Sequence, residues 1–340
     1  LIAVGALLGS ERGTAWLLQR LPGVELTAPR GWLTGGDFSA ERLVVRWGSG
    51  ERSGTLTIED LALRGLRWQA RPAPGLWAAL TLDEVSARRV QVAPPAAGGE
   101  PMRAPAALHS PLALTVAALK VGELQVGSAA PLRDLQAALA VGADGGRRHT
   151  VDGLGFAWDR LRAHDGQLAI DSAAPFATTL ALRAQAAEGR PWQAEAQAQG
   201  PLDRLALRAA LRGEARAPGQ SAPALDAAVE LRPFEAWPLG PLALSTRALD
   251  LAALSSAAPA TRLDGRVSVA THGTRAPAEA EIALDNALPG RWDQGRAPLR
   301  RLRATLRAEP GQPARWELPA FELELADERG SAGRWTGRAT

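Results

Sequence analysis

The sequence contains no cysteine and no tyrosine, one asparagine (Asn286) and one lysine (Lys120). Without cysteine there is no disulfide, no Cys-ligated zinc, no iron–sulfur cluster and no thiol nucleophile. No Gly-x-x-x-x-Gly-Lys phosphate loop occurs. The nearest glycine cluster, Gly48-Ser49-Gly50 followed by Gly54, has the wrong spacing for a dinucleotide fingerprint and reads as a hairpin turn. The four histidines, His109, His149, His164 and His272, are scattered, with no pair at metal-ligand spacing and no His-Glu-x-x-His. The His164-Asp165 pair lacks a Gly-x-Ser-x-Gly nucleophile elbow, and Gly166 after it marks a turn. Nothing points to catalytic residues, a metal or a cofactor, so the expectation is a protein that is not an enzyme.

What is present is a folded composition: 340 residues, 46% apolar and 22% charged. The net charge is +3, and all but one of the 39 basic residues are arginine. These arginines are interleaved with Asp and Glu rather than gathered into a patch, which argues against a nucleic-acid partner.

Period-two alternation runs through most of the chain and puts apolar side chains on one face of a strand. Leu112, Leu114 and Val116 alternate; Leu119 and Val121, then Leu124 and Val126, follow after bends or bulges. Leu180 and Leu182 repeat the device, as do Leu225, Ala227, Val229 and Leu231, then Ala280, Ile282 and Leu284, and finally Phe321, Leu323 and Leu325. Glu322 and Glu324 point the other way. The pattern predicts an all-β protein of about 18 strands, an elongated, curved, mostly antiparallel sheet with an apolar concave face and very few short helices. Leu112, Leu114, Val116, Leu180, Leu182, Ile282, Leu284, Phe321, Leu323 and Leu325 are the expected lining of an apolar groove.

Breaker clusters separate these runs: Arg71 to Gly75, Gly142 to Gly146, Ala217-Pro218-Gly219 and Glu309-Pro310-Gly311. The Pro94–Pro105 stretch reads as a long loop. Helix signals are confined to Thr14–Leu21, stopped by Gly23, and a turn around Leu249–Leu254. Pro-Leu-x-x-Leu recurs at Pro131, Pro201 and Pro298, each time leading toward a strand, a weak sign of stacked similar units. No linker separates two domains. Of the eleven tryptophans, Trp32, Trp47, Trp68 and Trp77 fall in the first quarter and read as strand-end packing residues, with a membrane interface as the alternative.

The first nine residues, Leu1 to Gly9, are all apolar or glycine, too few to span a bilayer, which needs about 20. Followed at once by polar Ser10, Glu11 and Arg12, they read as the end of a signal anchor, with Leu1, Ile2, Val4, Leu7 and Leu8 as its remnant in residues 1–13. Residues 14–340 then form the groove region.

Several stretches resemble the TamB family, the translocation and assembly module subunit among AsmA-like, bridge-like lipid transfer proteins. These are Gly9 to Trp16, Gly31 to Gly35, and Ile58 to Trp68 with Leu61, Leu63 and Leu66. The most specific is Asn286-Ala287-Leu288-Pro289-Gly290-Arg291-Trp292-Asp293, which is similar to the Asn-Ala-x-Pro-Gly-x-Trp-Asp stretch of that family. The resemblance implies the N-terminal periplasmic part of a longer Gram-negative protein, held in the inner membrane by one anchor. It further implies a taco-shaped β-groove, phospholipid as cargo, an outer-membrane Omp85-type barrel (TamA) as partner, and a role in outer-membrane biogenesis, outer-membrane protein assembly and protein secretion. The alternative is a structural β-solenoid scaffold or adhesin acting through protein contacts. A closed solenoid often carries asparagine ladders, and this chain has one asparagine.

Overall fold

A computed structural model of the chain describes residues 10, 13, 16, 20–32, 36–48, 53–73, 76–95, 104–215, 217–235, 237–271, 277–308 and 316–339. The expected fold class is observed: the described strands belong to one 20-stranded, mostly antiparallel sheet that is open rather than closed into a barrel. The chain divides into two compact units, Leu1–Gly99 with Ala106–Trp158 and Ala163–Phe176, and Ala177–Thr340 with Glu100–Pro105 and Asp159–Arg162. This division is not readable in the sequence, because its boundary falls in strand and turn residues without a linker of its own.

The first unit holds β1 (Val24–Thr27), β2 (Arg30–Gly31), β3 (Phe38–Trp47), β4 (Gly54–Arg64), β5 (Arg67–Ala73), β6 (Leu76–Ala93), β7 (Leu112–Val126), β8 (Leu132–Gly142), β9 (Arg148–Trp158) and most of β10 (Leu161–Asp171). β3 and β4 form the hairpin expected at Gly48–Gly54. Strand β5 runs through Arg71-Pro72-Ala73, within the expected breaker, whose residues 74–75 lie outside the described residues. β5 pairs through β6, leaving an edge where Pro72 removes no ladder bond. β6 and β7 pair in parallel, which requires a long return; residues 94–111 supply it, around the expected loop. Residues 96–103 of that loop lie outside the described residues.

The apolar period slips by one residue at the same level in β6 and β7. Leu82 faces Val116, and three residues on Val85 faces Leu119, so both strands reset together and keep their apolar side chains on one face. In β4 the reset is at Asp60, which takes a positive φ of 53°. Leu66, Leu82 and Val116 close into a buried cluster, flanked by Leu63, Leu80, Val85, Leu114, Leu119 and Leu139.

The second unit is a meander of hairpin-connected strands: β11 (Ala177–Ala186), β12 (Trp192–Pro201), β13 (Leu205–Gly213), β14 (Ala224–Leu231), β15 (Leu239–Leu249), β16 (Leu263–Ala270), β17 (Ala278–Asn286), β18 (Leu299–Ala308), β19 (Trp316–Asp327) and β20 (Gly330–Ala339). Each pairs antiparallel with the next. Pro131 and Pro298 do stand just before strands β8 and β18, whereas Pro201 ends β12 and its Leu-Asp-Arg forms the turn into β13.

Of the helix expected over Thr14–Leu21, Trp16 is helical, as is Gly13 just before the range, whereas Arg20 and Leu21 lie in a turn and a bend; the rest of the range lies outside the described residues. The turn around Leu249–Leu254 is a 3-10 helix, Leu251–Ala253. The anchor remnant Leu1, Ile2, Val4, Leu7 and Leu8 lies outside the described residues, as does Glu309-Pro310-Gly311.

Candidate functional site

Cross-strand registry in the second unit assembles the alternating residues into three parallel rows on one face. The first is Leu180, Ala198, Leu207, Val229, Leu242, Val269, Ala280 and Leu306. The second is Leu182, Ala196, Ala209, Ala227, Leu244, Val267, Ile282, Ala304 and Phe321. The third is Ala184, Ala194, Leu211, Leu225, Thr246, Gly265, Leu284, Leu302, Leu323 and Trp335. Thr246 carries the only hydroxyl in the three rows, and that hydroxyl has no hydrogen-bond partner among the described residues. At about 4.8 Å between strands and 6.8 Å between rows, ten strands give an apolar band of roughly 43 by 14 Å.

Most of these side chains are half-buried between their strand neighbours, and Ala198, Leu211 and Ala280 are buried. At one margin the β15–β16 connection folds over the band. Trp192, Leu211, Leu249 and Leu263 form a buried core there, with Ala184, Ala194, Leu225, Leu251, Ala253 and Leu254 packed against it. Polar contacts hold this segment. The Trp192 indole N–H donates to the Ala253 carbonyl at 3.0 Å, and the Thr261 hydroxyl, 1% exposed, donates to Leu249 O and accepts from Leu251 N–H. Arg160 donates to Ala252 O. Asp159 accepts from the Ser255 hydroxyl and the Ser256 N–H, both at 2.8 Å, and hydrogen bonds from Ser256 and Ser255 hold its carboxyl below the usual range.

Of the ten expected lining residues, Leu180, Leu182, Ile282, Leu284, Phe321 and Leu323 lie in these rows. Leu325 flanks them, facing Leu299 and Gly333. Leu112, Leu114 and Val116 belong to the first unit. Val116 is 3% exposed inside the Leu66–Leu82 cluster, so it is core rather than open lining, and Leu112 is exposed. Val267, Val269, Leu242, Leu244, Leu302 and Leu306 complete the band; the same alternation marks them in the sequence, in β15, β16 and β18.

The opposite face carries the intervening polar residues, and a cavity of about 890 Å³ opens there over β12–β17, bordered by Arg208, Asp226, Ser245, Arg266, Ser268 and Glu281. Alternation alone gives no sign of this hollow on the polar side.

The stretch 286–299 that carries the most specific resemblance is the connection between β17 and β18, bonded also to the β15–β16 connection. Asn286, 3% exposed, accepts from the backbone N–H of Arg262 and Leu288 and donates to Leu299 O, tying three segments together. Gly295 sits at φ 70° to end a 3-10 turn at Trp292–Gln294. A Cβ on Gly290 would meet the Arg296 side chain at 2.5 Å.

Among the histidines, His149 accepts at Nδ1 from Gly142 N–H, and its Nε2 therefore donates to Leu108 O, a structural bridge. Tryptophans do sit at strand ends, as with Trp47, Trp158 and Trp192. Packing holds for few of them: Trp16, Trp32, Trp47, Trp68, Trp77, Trp158, Trp292 and Trp335 are all exposed. Among the described residues no helix is long and apolar enough to cross a membrane. No family model matches the chain, and no curated protein or solved structure matches it.

Proposed function

We propose that this protein is a non-enzymatic, TamB-type lipid bridge whose apolar band shelters the acyl chains of phospholipid moving between the inner and outer membranes. The observation that carries the reading is the continuity of the three rows from β11 to β18. Withdrawing a 16-carbon chain from water is worth about 12 kcal/mol at about 0.8 kcal/mol per methylene, so any gap in an apolar path is a barrier and an unbroken band lets a chain slide. Head groups would remain in water beyond the margin of the band. In this reading the protein is anchored in the inner membrane near its N-terminus, stands in the periplasm, and works with an Omp85-type barrel, supporting outer-membrane biogenesis.

A closed β-solenoid adhesin would bury such a face against itself; an open sheet with half-exposed apolar rows gives that alternative less support. The test is mass spectrometry of lipids co-purified with the protein without detergent. Phospholipid in stoichiometric amount is expected, and lipid at the level of an unrelated periplasmic protein would refute the reading.

A further inference from the structure

The polar face of the second unit treats its arginines in two ways. On β18–β20 most are paired: Arg301 and Arg303 both bond Asp285, Arg307 bonds Glu279 at 2.7 Å, and Arg334 bonds Glu322 at 2.8 Å, with Arg338 near the end of β20 the exception among the described residues. On β13–β16, Arg208, Arg247 and Arg266 make no ion pair and no side-chain hydrogen bond among the described residues. Registry explains the difference. Arg247 stands opposite Ala224 on β14, while Asp264, across the bulge on β16, accepts from the Ala248 N–H instead; Arg266 stands opposite Ser245 and Ala283. Arg247 and Arg266 are instead diagonal neighbours on adjacent strands, an arrangement in which like charges repel.

Arg208 and Arg266 border the 890 Å³ cavity. Arg266 and Arg247 border an adjoining one of about 380 Å³ that shares Asp226, Ser245 and Arg266 with the first. Of the nearby acids, Asp226 is held by Arg212 and Glu195 by Arg183. Glu281, diagonal to Arg266, makes no ion pair with it. The floor is built from small residues, Ala210, Ala228, Ala243 and Gly265 among them, so a ligand can approach close to the sheet.

We propose that this double hollow binds a phosphate-bearing anion, taken up by the three unpaired guanidinium groups with Ser245 and Ser268 as further donors. Planar guanidinium forks match phosphate oxygens in bidentate geometry, and a guanidinium that bonds no carboxylate keeps its fork open to a ligand even with Glu195, Asp226 and Glu281 in the same lining. Cations left unpaired at a cost to the free protein are the pattern expected where a ligand supplies the missing charge. The site lies on the face opposite the apolar band and stands or falls independently of it.

The phosphate could be a lipid headgroup or a soluble ion, and two probes separate them. Inorganic pyrophosphate is titrated calorimetrically into the full chain at about 50 mM salt, where screening is weak. In parallel, flotation is measured with phosphatidylcholine vesicles with and without phosphatidylglycerol. Binding of either probe is expected to fall by at least about tenfold in R208Q/R247Q/R266Q and to stay within about twofold in R301Q/R307Q, which removes cations already paired. Pyrophosphate binding identifies a soluble ligand, and binding of anionic vesicles alone identifies a headgroup. No binding of either probe, or equal loss in both variants, overturns the proposal. If circular dichroism shows the triple variant unfolded, Arg247→Gln alone decides: weaker binding is expected, and unchanged binding overturns it.

Discussion

Two stretches of one apolar face differ in a single respect, whether the chain passes back over them. At the β12–β13 margin the β15–β16 connection lies on the face, and Trp192, Leu211, Leu249 and Leu263 become a core at 4–8% exposure. A few strands away Leu244, Val267 and Ile282 carry the same alternation in the same registry and remain half-exposed. Alternation therefore builds a face without specifying what covers it. In the first stretch the protein supplies the cover; in the second, acyl chains are the proposed cover. A sheet that leaves such a face open gives up burial that would otherwise stabilise it, a sacrifice typical of functional surfaces.

The comparison can be broken most forcefully at Trp192. Trp192→Ala should cost about 3–5 kcal/mol in urea denaturation, whereas Val267→Ala on the open stretch should cost less than about 1 kcal/mol. Similar losses would mean that the open stretch is a packed core after all. Thr261→Val should cost about 1–3 kcal/mol, because it strands the Leu251 N–H and a Leu249 carbonyl lone pair under the fold-over segment.

Ile282→Asp places a carboxylate on the open band and should cost only about 1–2 kcal/mol, since water reaches it. It should nevertheless abolish most lipid retention, while Ala283→Asp, on the polar face, leaves retention intact. Loss in Ala283→Asp alone would favour a protein-binding scaffold.

The smallest effect is a pH response of the fold-over segment. Asp159 has its carboxyl lowered by hydrogen bonds from Ser256 and Ser255. Its contribution is thus fully present above the unfolded value near 4 and is lost as pH falls through the lower folded value. Amide exchange of Ser256 should accelerate in that acid window, and Asp159→Asn should flatten the response.

The strands were legible because a half-buried strand writes its face into every second residue, and even the slip between Val116 and Leu119 shows as a skipped step. Register was not legible. Arg301 and Arg247 each stand beside one apolar and one polar residue in the sequence, and only pairing with β17 for one, or with Ala224 for the other, separates a paired arginine from an unpaired one. The fold-over at Leu251–Ala253 was visible as a turn, but its docking on Trp192 joins positions some 60 residues apart that no local pattern connects. Val116 departs from its expected place for a related reason: alternation cannot tell an open face from one that closes against Leu66 and Leu82.

The central claim is that acyl chains lie on the apolar band, and adjacent residues of β16 test it with one strand as its own control. A photo-crosslinking amino acid at Val267 faces the band, and one at Ser268 faces the polar side. In cells, the account predicts phospholipid adducts from position 267 and none above background from position 268. Equal labelling at both, or labelling from 268 alone, would contradict it.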